Sequence, residues 1–147
     1  HISSVNHAVV DAVLMQAQLQ GEKYEINWSV EGTLSESIFI TDFDLCTMFS
    51  NLLSNAVEAC AKVQGRNRQI RLEIRDMQDI LIIELENSVD EPVDIPVIGE
   101  MTTKKDKENH GYGVRNIQET VRKYGGKMEF ENREGNCFRI RLRFENL

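Results

Sequence analysis

Along residues 3–20 the apolar positions Val5, Val9, Val10, Val13, Leu14 and Ala17 recur at helical spacing, and Gly21 interrupts them. This predicts an amphipathic first helix. The period then changes: Tyr24, Ile26, Trp28 and Val30 alternate with Glu25, Asn27 and Ser29, as in a strand with one buried face. Thr41 is placed to cap a second helix, with Asp44 supplying acidic charge in its first turn. That helix runs to about Lys62 on a broad apolar stripe of Leu45, Met48, Phe49, Leu52, Leu53, Ala56, Val57 and Cys60.

Two alternating runs follow, "RQIRLEIRD" and "DILIIELEN", joined by a short polar turn through Met77 and Gln78. They predict an antiparallel hairpin. Over residues 88–109 the periodicity is lost; the segment holds Pro92, Pro96 and the charged run "KKDKE". A stretch of this length without pattern inside a small domain points to a lid, a binding loop or disorder, and its position directly before the glycines favours a lid. A third helix is marked by Val114, Ile117, Val121 and Tyr124 and closed by Gly125 and Gly126. "KMEFEN" and "CFRIRLRF" then flank the turn "REGN", with Phe138, Ile140, Leu142 and Phe144 inward and Arg139, Arg141 and Arg143 outward. Three helices and five or six one-sided strands predict a two-layer α/β sandwich.

With 147 residues, 41% of them hydrophobic, the chain accommodates one domain around one core. The formal net charge of -7 argues against a general nucleic-acid binder, which needs clustered Lys and Arg. Cys46, Cys60 and Cys137 are widely spaced among apolar neighbours, without a C-x-x-C pair, and read as reduced core thiols in a cytosolic setting. No apolar run approaches the length of a membrane span. The start at His1 rather than a methionine leads us to expect a piece of a longer protein.

The candidate chemistry lies on the second helix. Asn51, Asn55 and Glu58 fall within about 60° of one another, away from the Leu52 and Leu53 side. Asp44 and Thr47 share that stripe, and for Asp44 and Glu58 a solvated helix face is the simpler reading. The asparagines ask for another, because each is a poorer helix former than Lys, Glu or Gln. An Asn carbonyl is a hard, neutral ligand suited to Mg²⁺ that also holds phosphate oxygens. In "ENHGYGVRNI", residues 108–117, Gly111 and Gly113 open the third helix, where unpaired N–H groups and the positive dipole end suit an anion. Lys104 in the loop adds positive charge, whereas Lys105 reads as solvated.

"NLLSNAVEA" followed by a hairpin, a long loop and "HGYGVRNI" resembles the N box and second glycine box of the GHKL ATPase family. The likeness covers roughly residues 25–144. "DFDLCTMFSNLLSNAVEAC", "TTKKDKENHGYGV" and "KYGGKMEFEN" are most similar to the catalytic domain of sensor histidine kinases of the peptide-quorum-sensing receptor branch. The resemblance implies the Bergerat fold, a mixed and mainly antiparallel sheet with three helices on one face. It makes residues 1–21 a linker helix after a missing dimerisation and phosphoacceptor region, and 22–147 an ATP-binding domain with its lid at about 88–110.

By the same resemblance Asn55 binds Mg²⁺, Asn51 lies beside it against the ATP triphosphate, and Gly111 and Gly113 offer backbone N–H groups. Lys104 adds a donor from the lid, and His110 is either a second such donor or a surface histidine. The first glycine box, usually D-x-G-x-G, falls at "ENSVDEP", with Asn87 in the Asp position and no glycines. Asn87 can still accept from the adenine amino group through its carbonyl, but without the charge. His7 reads as an ordinary helix residue, so the acceptor histidine is expected on a separate domain. The expected partners are that domain and a response regulator, in a dimeric, membrane-anchored parent with this domain in the cytoplasm. The rival reading is a nucleotide-regulated binding module, such as an anti-sigma-factor-like protein or an adaptor, without kinase activity.

Overall fold

A computed structural model describes residues 3–65, 67–95 and 111–145, apart from the side chains of Gly111 and Tyr112. Among these residues the chain forms helices α1 (Ala8–Gln20), α2 (Asp42–Ala61) and α3 (Gly111–Lys123). The strands are β1 (Asn27–Glu31), β2 (Gln69–Asp76), β3 (Ile80–Ser88), β4 (Lys127–Arg133) and β5 (Cys137–Glu145). They make one sheet in the order β1-β2-β3-β5-β4, in which only the β1–β2 pair is parallel.

α2 is the spine of the helical layer. Thr41 Oγ1 accepts from the Asp44 N–H at 3.2 Å, which starts the helix at the expected residue. Every position of its apolar stripe, from Leu45 to Cys60, is buried. α2 packs on β2 and β3, with α1 along one side and α3 along the other. The two hairpins alternate as their sequences require, burying Ile70, Leu72 and Ile74 of β2 and Phe138, Ile140, Leu142 and Phe144 of β5. α3 ends where Gly125, at φ +69°, turns the chain so that the Gly126 N–H reaches the Val121 carbonyl at 2.8 Å.

The sheet face away from the helices is a lattice of charge. Its centre is Glu84, buried and ringed by Arg75, Arg139 and Arg141. Burial alone would push the Glu84 carboxyl up, but the Arg141 hydrogen bond and the charges of Arg141, Arg139 and Arg75 outweigh it and hold it below the ordinary 4.5.

Three expectations need correction. The first helix starts at Ala8, not near Ser3: the Asp11 carboxylate accepts from the Val5 N–H and the Ser4 hydroxyl, and Asn6 takes a left-handed φ of 61°. Val5 therefore enters the core as a plug from an extended segment, its carbonyl accepting from the Leu34 N–H. The first strand begins at Asn27, because residues Glu22–Tyr24 form a 3-10 turn and Glu25 reverses the chain at φ 54°. Of the thiols, only Cys60 is buried; Cys137 is intermediate and Cys46 exposed. Neighbours in a helix point about 100° apart, so the apolar residues flanking Cys46 say nothing about its own face.

Candidate functional site

α3 packs against α2 so that its first turn lies over the asparagines. A Cβ placed on Gly113 would stand 3.1 Å from Asn55 Oδ1, 3.3 Å from Asn55 Nδ2 and 3.4 Å from Asn51 Oδ1. The glycine therefore serves a close approach rather than an unusual φ. Asn51 donates its amide N–H to the Thr47 carbonyl at 2.9 Å. That carbonyl can only accept, so the bonded atom is the Asn51 nitrogen, and the oxygen, unpaired among the described residues, faces the turn of α3. Asn55 also lines the adjoining cavity and, among the described residues, has no such partner for its amide.

The cavity measures about 360 Å³ and opens between α2, β3, the start of α3 and the last hairpin. Leu52, Ala56, Leu85, Val114, Phe138 and Ile140 make its wall apolar, with Asn55 and Asn87 among the few polar groups. Asn87, on β3, is 6% exposed, and its Nδ2 donates to the Ser88 carbonyl at 3.1 Å. As with Asn51, the partner can only accept, so the nitrogen uses one of its two N–H groups there and the amide oxygen is left as an acceptor among the described residues.

Asp90 and Lys62 also line the cavity, and neither is signalled by the sequence pattern. Asp90 Oδ2 accepts from the Gln64 N–H at 3.0 Å, which ties the end of β3 to the exit of α2. The chain beyond β3 follows the rim, with Val89 donating to the Asn136 carbonyl at 3.0 Å. Val93 is held at both backbone polar groups by the Asn132 amide, at 2.9 and 2.8 Å. The first part of the expected lid is therefore tied down. No local pattern could reveal this, because a side chain 39 residues away supplies the bonds.

Asp44 belongs to a different construction from the one its stripe suggested. It is 8% exposed, accepts from Lys123 Nζ at 2.8 Å and from the Tyr124 hydroxyl at 2.5 Å, and joins the start of α2 to the end of α3. The Lys123 hydrogen bond first, and then that of Tyr124, hold its carboxyl below the ordinary 3.8. Glu58 is exposed. His7 is not a helix-face residue but the N-cap position of α1, buried, with Nε2 3.8 Å from Asp42 Oδ1. Burial pushes the Cys60 and Cys137 thiols up, away from the reactive thiolate. Lys104 and His110 lie outside the described residues, whereas Gly111 is the first residue of α3.

The structure thus brings Asn51, Asn55 and Gly113 into one cluster, with Asn87 across the cavity. A family model described as GHKL domain matches residues 40–144, a span that contains all four. The chain belongs to the GHKL domain family. It is 27% identical over 148 residues to the sensor protein CitS of Halalkalibacterium halodurans, a match taking in 93% of this chain and 27% of CitS. The chain therefore spans about a quarter of that relative's length.

Among solved structures, this GHKL domain resembles the nucleotide-free catalytic domain of the histidine kinase ThkA. The TM-score is 0.77 and the identity 21%, covering 95% of this chain and 92% of that one. The mycobacterial sensor histidine kinase MprB gives a TM-score of 0.74 at 11% identity, covering 94% and 93%. These likenesses establish the fold: a two-layer sandwich with a mixed, mainly antiparallel sheet, as the sequence leads one to expect.

Proposed function

We propose that this GHKL domain is the ATP-binding catalytic domain of a sensor histidine kinase, passing the γ-phosphoryl group of ATP to a histidine on a separate domain. The observation that carries the reading is the seat of Gly113 on the Asn51 and Asn55 amides at the mouth of an apolar cavity. Phosphoryl transfer asks a protein mainly for position and charge stabilisation. Groups suited to both lie close together at the meeting of α2 and the first turn of α3.

The base would enter the apolar cavity, where the Asn87 oxygen accepts from the adenine amino group. The phosphates would lie along the first turn of α3, whose free N–H groups and positive dipole end suit them. Asn55 is the residue fitted to hold Mg²⁺: a neutral oxygen donor, uncommitted among the described residues, beside the anion position. The metal would neutralise charge building on the phosphoryl oxygens. Asn51, with its nitrogen spent on Thr47, would turn its oxygen to the same place. Lys104 and His110 would add donors from the lid.

On this reading residues 1–21 lead in from the dimerisation and phosphoacceptor domain, and a response regulator receives the phosphoryl group afterwards. The parent would be a dimeric membrane receptor with this domain on the cytoplasmic side. The test is calorimetric titration of the chain with ATP, with and without Mg²⁺, for wild type and Asn55→Ala. Binding by the wild type that strengthens with Mg²⁺, and loses that dependence in Asn55→Ala, supports the assignment. No binding by the wild type at millimolar ATP overturns it, and a variant that responds to Mg²⁺ as wild type does removes Asn55 from the metal site.

A further inference from the structure

Two contacts at opposite ends relate α3 to α2. Gly113 rests on Asn51 and Asn55, and ten residues later Lys123 and Tyr124 close on Asp44. At 1.5 Å per residue the stretch of α3 between these contacts is about 15 Å long, and Asp44 lies about 10–16 Å down α2 from the asparagines. The two spans match, so the helices run alongside each other in opposite directions and are fixed at both ends.

Between the ends, α3 is buried through Val114, Ile117 and Val121. The summed shape of the buried apolar surface decides how α3 docks, and hydrogen bonds add a directional constraint at single points. The Asp44 cluster is such a point. Its carboxylate takes Lys123 Nζ and the Tyr124 hydroxyl, and that hydroxyl oxygen in turn accepts from the Thr41 N–H at 3.2 Å. Thr41 meanwhile caps α2 through the Asp44 N–H, so the clamp is anchored in the start of the helix that carries the asparagines.

We propose that Asp44 is a positioning residue for the phosphate end of the site: by clamping the C-terminal end of α3 it keeps the N-terminal turn seated on Asn51 and Asn55. The inference rests on the ATP-binding reading and extends it to a group that touches no part of the nucleotide. A shift of α3 by about 1 Å would move the anion-binding N–H groups while leaving the base cavity, made mostly by α2 and the sheet, unchanged. The phosphate and base ends of the ligand therefore respond differently to loss of the clamp.

The test compares ADP with Mg²⁺ against adenosine, which has the base and no phosphate, on wild type, Asp44→Asn and Lys123→Met. Asp44→Asn is expected to raise the dissociation constant for ADP by about tenfold and to leave that for adenosine within about twofold. Lys123→Met, whose altered side chain is largely exposed, shifts the same ratio by less and stands in if Asp44→Asn fails to fold. Equal weakening of both ligands, or none of either, overturns the proposal. If the wild type binds no ADP, the ATP-binding reading itself has failed, and the clamp is then judged by amide hydrogen exchange. Faster exchange in α3 than in α2 of Asp44→Asn supports it, and an unchanged pattern overturns it.

Discussion

Gly113→Ala separates function from folding at a single methyl group. Its added carbon would meet two amide oxygens and an amide nitrogen of Asn55 and Asn51 at 3.1–3.4 Å, tighter than ordinary van der Waals contact. One side must yield by a few tenths of an ångström. Asn51 is held by Thr47, so the Asn55 amide moves, at about 0.5–1.5 kcal/mol for an off-rotamer side chain. Against this, Ala is favoured over Gly in a helix by about 1 kcal/mol. The two contributions nearly cancel, so the variant should melt close to wild type. Binding has no such compensation: a displaced Asn55 oxygen and a lifted α3 turn should weaken Mg-ADP by about tenfold or more, roughly 1.4 kcal/mol. Thermal melting and titration calorimetry on the same sample read both quantities. Affinity within about twofold of wild type would show that the close approach of α3 to the asparagines does not shape the ligand site.

Two further outcomes follow from the same structure. Replacing Asn87 with Ala removes an acceptor worth about 0.5–1.5 kcal/mol, so competition binding should show weaker ADP and a smaller preference for ADP over GDP. An unchanged preference would mean that the base is read elsewhere. In acid, Asp44 and Glu84 both have folded-state values below their ordinary 3.8 and 4.5. Their contribution is thus present above those ordinary values, and it is lost as the pH falls through the folded ones, because the unfolded chain binds protons more readily. The urea midpoint should drop on going from neutral pH to below about pH 4, and drop less in Asp44→Asn; equal losses in the two proteins would refute a role for Asp44.

The local pattern of residues determined much of this protein. The α2 stripe, the Thr41 cap, both hairpins and the glycine stop after α3 are legible because each depends on neighbours within a turn or a strand pair. Asn51 and Asn55 were legible for the same reason, since helical geometry alone puts positions four apart on one face. Where a side chain from elsewhere intervened, the pattern misled. Val5 follows the helical period yet lies outside the helix, because Asn6 takes a left-handed φ of 61° and the Asp11 carboxylate holds the Val5 N–H in the turn before it. The stretch after Ser88 has no period, yet the Asn132 side chain and the Asn136 backbone carbonyl pin it.

Only the tertiary structure decided what faces the asparagines. Gly113 on Asn55, Asn87 across the cavity and Lys123 and Tyr124 on Asp44 all join residues distant in sequence. Such pairings depend on how α3 docks against α2 and the sheet, and docking follows from the summed shape of a buried surface rather than from any one residue's spacing. The same carboxylate that looked like one more solvated charge on a helix is, once α3 is in place, the partner of Lys123 and Tyr124 at its far end.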